Sequence, residues 1–306
     1  MLANGIRVEY EALGDPARPA LLLIEGLGGQ MIGWPHQFCH DLVSRGFHVV
    51  RFDNRDSGLS TKIEGGPEPD PVAVYFGDPS SASYTLDDMA DDAAGLLEAL
   101  GISAAHLVGL SMGGMIAQAF ALRHPEKTLS LCSIMSTTGG RDVGQPTPEA
   151  MAHLVRPSAA TPEECVEAAV ASHRLLGSPA YPTDEGEVRA AALRRYERSH
   201  YPDGTARQLC AILASGDRTE RLAEVTAPTV VVHGADDALI QASGGRATAE
   251  AIPGAELVVL EGMGHDLPAA LWPRIVEAIV ANATRAQRGR PGGSSTAPGV
   301  SAGAWE

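Results

Sequence analysis

Residues 105–117, Ala-His-Leu-Val-Gly-Leu-Ser-Met-Gly-Gly-Met-Ile-Ala, constrain the fold more tightly than any other stretch of this chain. An apolar run reaches Ser111 and helix-forming residues resume at once, so the backbone must pass from strand to helix through a sharp turn with the serine at its apex. Such a turn strains the serine and crowds the residues two positions either side of it. Gly109 and Gly113 are small enough to permit that. The first N–H groups of the following helix have no partner within it and point towards the serine oxygen. The Met112 N–H can therefore help to bind a developing oxyanion, while the Met112 side chain takes no part. In a chain with 34 glycines the G-x-S-x-G spacing alone is a weak signal, and the flanking strand and helix give it weight.

The rest of the chain fits such a turn. Ile6–Leu13 is a short alternating segment, and Ala20–Ile24 is a continuous apolar run of the kind expected of a strand covered on both faces. A glycine-rich loop, Glu25–Gly29, leads to a helical pattern from about Trp34 to Ser44, and His48–Phe52 reads as the next strand. Residues 58–80, rich in glycine and proline, read as a long surface loop. Helix Leu86–Leu100, with Asp87, Asp88, Asp91 and Asp92 in its N-terminal half, precedes the serine turn. Helix Met112–His124 and strand Leu129–Met135 follow. Strand and helix alternate repeatedly, which predicts an α/β fold with a mostly parallel, doubly wound sheet.

From Gly139 to Leu222 the rhythm changes. Pro148–Val155, Pro162–Leu176, Glu185–Tyr201 and Thr205–Leu213 read as successive helices without a strand between them, so residues 139–222 are expected to form an inserted helical cap. The core is then 1–138 together with 223–285, with strands at Pro228–His233 and Ala255–Glu261 and helices near Arg246–Ile252 and Ala269–Arg285. Residues 286–306 hold too little apolar surface to fold and are expected to be a disordered tail.

Composition excludes several classes of partner. With 23 basic and 38 acidic side chains the net charge is −15, which opposes binding to nucleic acid or to anionic lipid. The longest apolar stretches have strand length, short of the ~20 residues of a membrane span. No basic segment followed by an apolar run opens the chain, so no signal peptide is expected and the cytoplasm is the expected compartment. Cys39, Cys132, Cys165 and Cys210 are scattered, as plain thiols would be. Neither the cysteines nor the ten histidines show metal-ligand spacing, so no metal and no organic cofactor is expected.

A serine hydroxyl is a poor nucleophile at neutral pH and needs a base, and the base needs an orienting acid. In a parallel sheet all strands end at one edge, and Ser111 is already there, so both partners are sought at the ends of later strands. His265 lies beyond the last strand in the glycine-rich loop Glu261–Asp266 and is the candidate base. His106 and His233 fall within apolar strands and suit structural roles. His36, His40, His124 and His200 lie on or beside helices. For the acid, the strand ending at Gly234 is followed by Asp236 and Asp237, either of which could serve, whereas no carboxylate follows the strand holding Cys132 before Asp142. The order serine, acid, histidine is that of an α/β-hydrolase.

Over about residues 5–285 the sequence resembles α/β-hydrolase-fold serine hydrolases, in particular the bacterial carboxylesterase group that includes aclacinomycin methylesterase-like enzymes. The resemblance is carried by Leu27–Pro35, Arg51–Gly58, Val108–Gly113, Gly234-Ala-Asp-Asp237 and Glu261–His265. It implies Gly-x-x-Asp for the acid, hence Asp237, and the Leu27 N–H as a second oxyanion donor beside Met112. Many relatives carry histidine where this chain has Glu25. A carboxylate there would oppose an oxyanion unless it points away, hydrogen-bonds loop N–H groups, or is neutralised by Arg51 or Arg55. The expected reaction is hydrolysis of a small-molecule carboxylic ester, including methyl esters of hydrophobic substrates, through a Ser111-His265-Asp237 triad and an acyl-enzyme. Thioesterase, lactonase, C–C bond hydrolase and perhydrolase chemistry use the same triad, and a ligand-binding protein could keep the scaffold. The oligomeric state is not written in the sequence.

Overall fold

The computed structural model describes residues 1–154, 156 and 159–288. At the start of the chain β1 (Leu2–Ala3) and β2 (Ile6–Arg7) form a small hairpin. The main sheet contains β3 (Tyr10–Leu13), β4 (Ala20–Ile24), β5 (His48–Phe52), β6 (Ala105–Leu110), β7 (Thr128–Ile134), β8 (Thr229–Gly234) and β9 (Glu256–Leu260). Their order is β3-β5-β4-β6-β7-β8-β9. Only β3 runs antiparallel, at the edge, so six strands end on one side, and Ser111, Asp237 and His265 all follow such ends.

Both faces of the sheet are covered, which is why β4 is apolar throughout. Leu22 and Ile24 enter one core with Leu96, Leu107 and Phe120, and Leu21 and Leu23 enter the other with Trp34, Phe38, Val108 and Ile275. The helices outside the insertion are α1 (His36–Ser44), α2 (Pro71–Tyr75), α3 (Leu86–Ala99), α4 (Met112–Arg123), α9 (Ala242–Ala251) and α10 (Trp272–Arg288). A capping box between Thr85 and Asp88 starts α3, where the acidic residues suit the positive end of the helix. Directly behind Ser111, α4 is buried from Met112 to Ala121, as expected of a helix that is apolar all round.

Between β7 and β8 stand the four helices of the insertion: α5 (Pro148–Leu154), α6 (Pro162–Leu176), α7 (Glu185–Arg198) and α8 (Pro202–Ser215). Some boundaries differ from expectation for identifiable reasons. The last of these helices begins at Pro202, three residues early, because proline at the first helical position is already set for a helix. The helix expected from Arg246 begins at Ala242 and passes through Gly244 and Gly245. A Cβ on Gly245 would overlap the His233 ring, so close packing, rather than a helix break, requires glycine there. The loop expected over 58–80 contains α2, capped by Asp70. The last helix continues to Arg288, so residues 286–288 of the expected tail are helical and 289–306 lie outside the described residues. Among the described residues no helix is long and apolar enough to cross a membrane.

Candidate active site

Ser111 stands between β6 and α4 with φ 55° and ψ −118°, a conformation a serine adopts only under strain. Its neighbours explain how the strain is tolerated. A Cβ on Gly109 would overlap the carbonyl of Gly113, and one on Gly113 would overlap the carbonyl of Ile24. Neither glycine has a positive φ, so each is needed for the room it leaves. The elbow is fastened by Ser111 N–H to Ile134 O (2.9 Å) and by Gly114 N–H to Ser111 O (2.9 Å).

The three side chains singled out in the sequence meet. His265 Nε2 lies 3.0 Å from Ser111 Oγ, and His265 Nδ1 lies 2.7 Å from Asp237 Oδ2. An ionised carboxylate can only accept, so the proton between Asp237 and His265 sits on Nδ1 and leaves Nε2 free to take the serine proton. Burial works to raise the Asp237 pKa. The His265 imidazole, the His233 and His265 hydrogen bonds and the Ile240 N–H outweigh it and hold the carboxyl at about 2. Its other oxygen, Oδ1, accepts from Leu239 and Ile240 N–H, both at 2.9 Å. Asp236, the other candidate, is exposed and accepts the Gly262 N–H at 2.9 Å, which braces the loop that carries His265. Of the two histidines given structural roles, His106 lies 2.8 Å from Ser130 Oγ. His233 lies 2.7 Å from Ile240 O and 3.5 Å from Asp237 Oδ2, backing the acid.

Gly26 O accepts the Gly29 N–H at 3.0 Å, with Gly28 at φ +64°, so residues 26–29 form a tight turn with Leu27 at its corner. The Gly28 N–H is taken by Gln208 Oε1 at 2.8 Å. Among the described residues, no hydrogen bond is made by the Leu27 or the Met112 N–H, so two donors remain at the end of β4 and the start of α4. A Cβ on Gly26 would lie 3.3 Å from Ser111 Cβ, which places this turn against the serine.

Of the arrangements open to Glu25 in the sequence, pairing with Arg51 or Arg55 is not made. Arg51 binds Glu11 and the Trp34 carbonyl, and Arg55 makes a two-point pair with Asp92 at 2.6 and 2.7 Å. Buried guanidinium groups go where a carboxylate and a carbonyl satisfy the whole fork, and Glu25 does not present that geometry. Instead Glu25 accepts the Gly26 N–H at 2.8 Å, the backbone arrangement considered as the other possibility. Burial pushes its pKa up to about 7, offset in part by that N–H and by the charge of Arg195.

Residues of the insertion missed by sequence reasoning hold the site from above. The His265 N–H donates to Leu176 O (2.6 Å) and the Gly264 N–H to Ser178 Oγ (3.0 Å), so the end of α6 grips the histidine loop. Arg198 on α7 reaches Asp53 (2.7 Å) and Gln30 (2.9 Å), and Arg207 on α8 reaches Asp56 (2.9 Å). These contacts join residues far apart in sequence, and no local pattern announces them. A cavity of about 300 Å³ lies between the insertion and the core, lined by Gly28, Ser57, Arg195, Tyr196 and Tyr201 among others, and Ser111, Asp237 and His265 are not among its lining residues. Ser111 itself is 9% exposed.

Comparisons with known proteins bear on the fold. Residues 19–268 match the family described by the alpha/beta hydrolase fold. The chain belongs to the α/β-hydrolase family. It is 32% identical over 297 residues to rhodomycin D methylesterase DauP of Streptomyces sp. (strain C5), covering 90% of this chain and 94% of that one. A putative carbamate hydrolase of Caulobacter sp. (strain K31) is 30% identical over 263 residues, 84% of this chain and 88% of its own. Among solved structures, the meta-cleavage product hydrolase from Pseudomonas fluorescens IP01 superposes with a TM-score of 0.73 at 22% identity, covering 93% and 97% of the two chains. That last likeness concerns the α/β-hydrolase fold alone.

Proposed function

We propose that this α/β-hydrolase is a serine esterase whose nucleophile, base and acid are Ser111, His265 and Asp237, and that its substrate is the methyl ester of a hydrophobic small molecule. The observation that carries the reading is the unbroken path from Ser111 Oγ through both nitrogens of His265 to Asp237, with separations of 3.0 and 2.7 Å. The substrate class is supported by the 32% identity to a rhodomycin D methylesterase along nearly the whole of both chains.

In this mechanism Ser111 Oγ attacks the ester carbonyl while His265 Nε2 takes its proton, and the imidazolium is stabilised by buried, ionised Asp237. The carbonyl oxygen gains negative charge as the tetrahedral intermediate forms and is held by the Leu27 and Met112 N–H groups. Collapse breaks the ester C–O bond, and His265 gives its proton to the departing alkoxide. Water then attacks the acyl carbon as it loses a proton to His265, the bond to Ser111 Oγ breaks to release the acid, and His265 returns the proton to the serine oxygen. Helices α5–α8 act as a cap over the substrate.

The test is labelling with a fluorophosphonate probe, followed by turnover of methyl and p-nitrophenyl esters beside thioesters, carbamates and lactones. Ser111→Ala is expected to abolish labelling and to lower turnover more than ~10³-fold with the fold intact. Near-normal turnover by that variant refutes the nucleophile. A preference for carbamates or lactones over every ester refutes the substrate class and leaves the triad standing.

A further inference from the structure

We propose that Glu25 is a positioning residue of the oxyanion loop that works as a neutral carboxylic acid, and that its ionisation turns hydrolysis down on the alkaline side. This inference rests on the serine-esterase reading, because it concerns the donor assigned there to Leu27.

The argument begins with space. Glu25 directly follows β4, is 6% exposed, and folds its carboxyl back into its own loop, where Oε2 accepts the Gly26 N–H at 2.8 Å. On the other side of the carboxyl stand Gly29 and Gly33. A Cβ on Gly29 would crowd Oε2 and one on Gly33 would overlap Oε1, yet neither glycine has a positive φ. Both positions are therefore glycine because the carboxyl occupies the room that a side chain would need. Glu25 is an internal strut around which residues 26–33 wrap, and the turn it supports holds Leu27 at its corner.

Charge supplies the second step. The cations near Glu25 are engaged elsewhere or act from a distance. Arg51, on β5, is held by Glu11 and Trp34 O and attracts the carboxylate only through space. Arg195, on α7, attracts the carboxylate through space without forming an ion pair, and Asp53, just after β5, repels it. A buried carboxyl without a bonded counter-ion keeps its proton to unusually high pH, in the range where enzymes operate. As a neutral acid it adds no negative charge beside the forming oxyanion. Once ionised, it repels that oxyanion and draws water towards a turn whose shape depends on a dry interior.

The experiment is the pH profile of kcat/KM for a p-nitrophenyl ester, followed at its isosbestic wavelength, for the full-length wild type, Glu25→Gln and Glu25→Met. An imidazole base gives all three a rising acid limb. The wild type is expected to fall about tenfold from its maximum by about pH 9, whereas each uncharged variant stays level relative to its own maximum. A merely structural role would lower kcat/KM of the variants by the same factor at every pH and leave the alkaline fall in place, which overturns the proposal. A wild-type profile that stays level at alkaline pH overturns it without any variant. Fluorophosphonate labelling at about pH 6.5 separates the two readings. Labelling of Ser111 with a level wild-type profile removes the role of Glu25 and keeps the esterase, whereas failure to label removes both.

Discussion

Gln208, on the last helix of the insertion, accepts the Gly28 N–H across 180 residues of chain, and its own amide nitrogen donates to Arg55 O at 2.7 Å. Its side chain is fully buried. One amide thereby ties the insertion to the loop beside Leu27 and to the segment after β5. Gln208→Leu keeps much of the volume and leaves the buried Arg55 carbonyl and the half-buried Gly28 N–H without this partner, the buried one at about 1–3 kcal/mol. The expected outcome in steady-state kinetics and urea unfolding is a loss of stability of that order together with a fall in kcat of about tenfold. An unchanged kcat in the folded variant would show that the Gly28 anchor does not position the proposed oxyanion donors.

Asp237→Asn removes the charge that fixes the His265 tautomer. Turnover is expected to fall ~10⁴-fold while the variant remains folded. The same change alters acid stability with a definite sign. The native carboxyl sits at about 2, below its ordinary 3.8, so its stabilising contribution is present above about pH 4 and lost as pH falls through 2. The shift corresponds to roughly 2.5 kcal/mol, which the difference in unfolding free energy between wild type and variant should lose over that interval.

Glu25 has the opposite linkage. Its carboxyl is pushed up from 4.5 to about 7, so the folded state holds the proton more tightly than the unfolded chain. Stability from this group is present below 4.5 and lost as pH rises through 7, by roughly 3 kcal/mol. Glu25→Gln escapes that loss. Its unfolding free energy relative to wild type should therefore rise between acid and alkaline buffers, and a difference that stays constant with pH would rule out a buried neutral acid.

Gly113→Ala tests the elbow. The added methyl would overlap the Ile24 carbonyl, which belongs to the central strand β4 and cannot move aside cheaply. A destabilisation of about 3 kcal/mol or more is expected in thermal or urea unfolding. Wild-type stability would mean that the elbow and β4 are less tightly apposed than this geometry requires.

Much of the candidate site is legible in the sequence because its chemistry is concentrated in short local patterns. Ser111 is announced by a strand, two space-making glycines and a helix. His265 lies in a glycine-rich loop after the final strand. The choice of Asp237 over Asp236 needed the family pattern, and burial explains it: one carboxylate reaches the imidazole, and the other, exposed, braces a loop. The helix expected near Arg246 starts earlier and runs through Gly244 and Gly245, because a sequence shows that a glycine is small without showing what lies against it.

The chain by itself determined the alternation of strands and helices, the strained serine and the chain order of the three polar residues, because each depends on neighbours a few positions away. Folding decided which arginine meets which acid, why Glu25 rests among glycines rather than in an ion pair, and how Gln208, Leu176 and Ser178 hold the loops of the site. Those outcomes depend on which groups lose water together when distant segments pack. Local sequence carries no record of that competition.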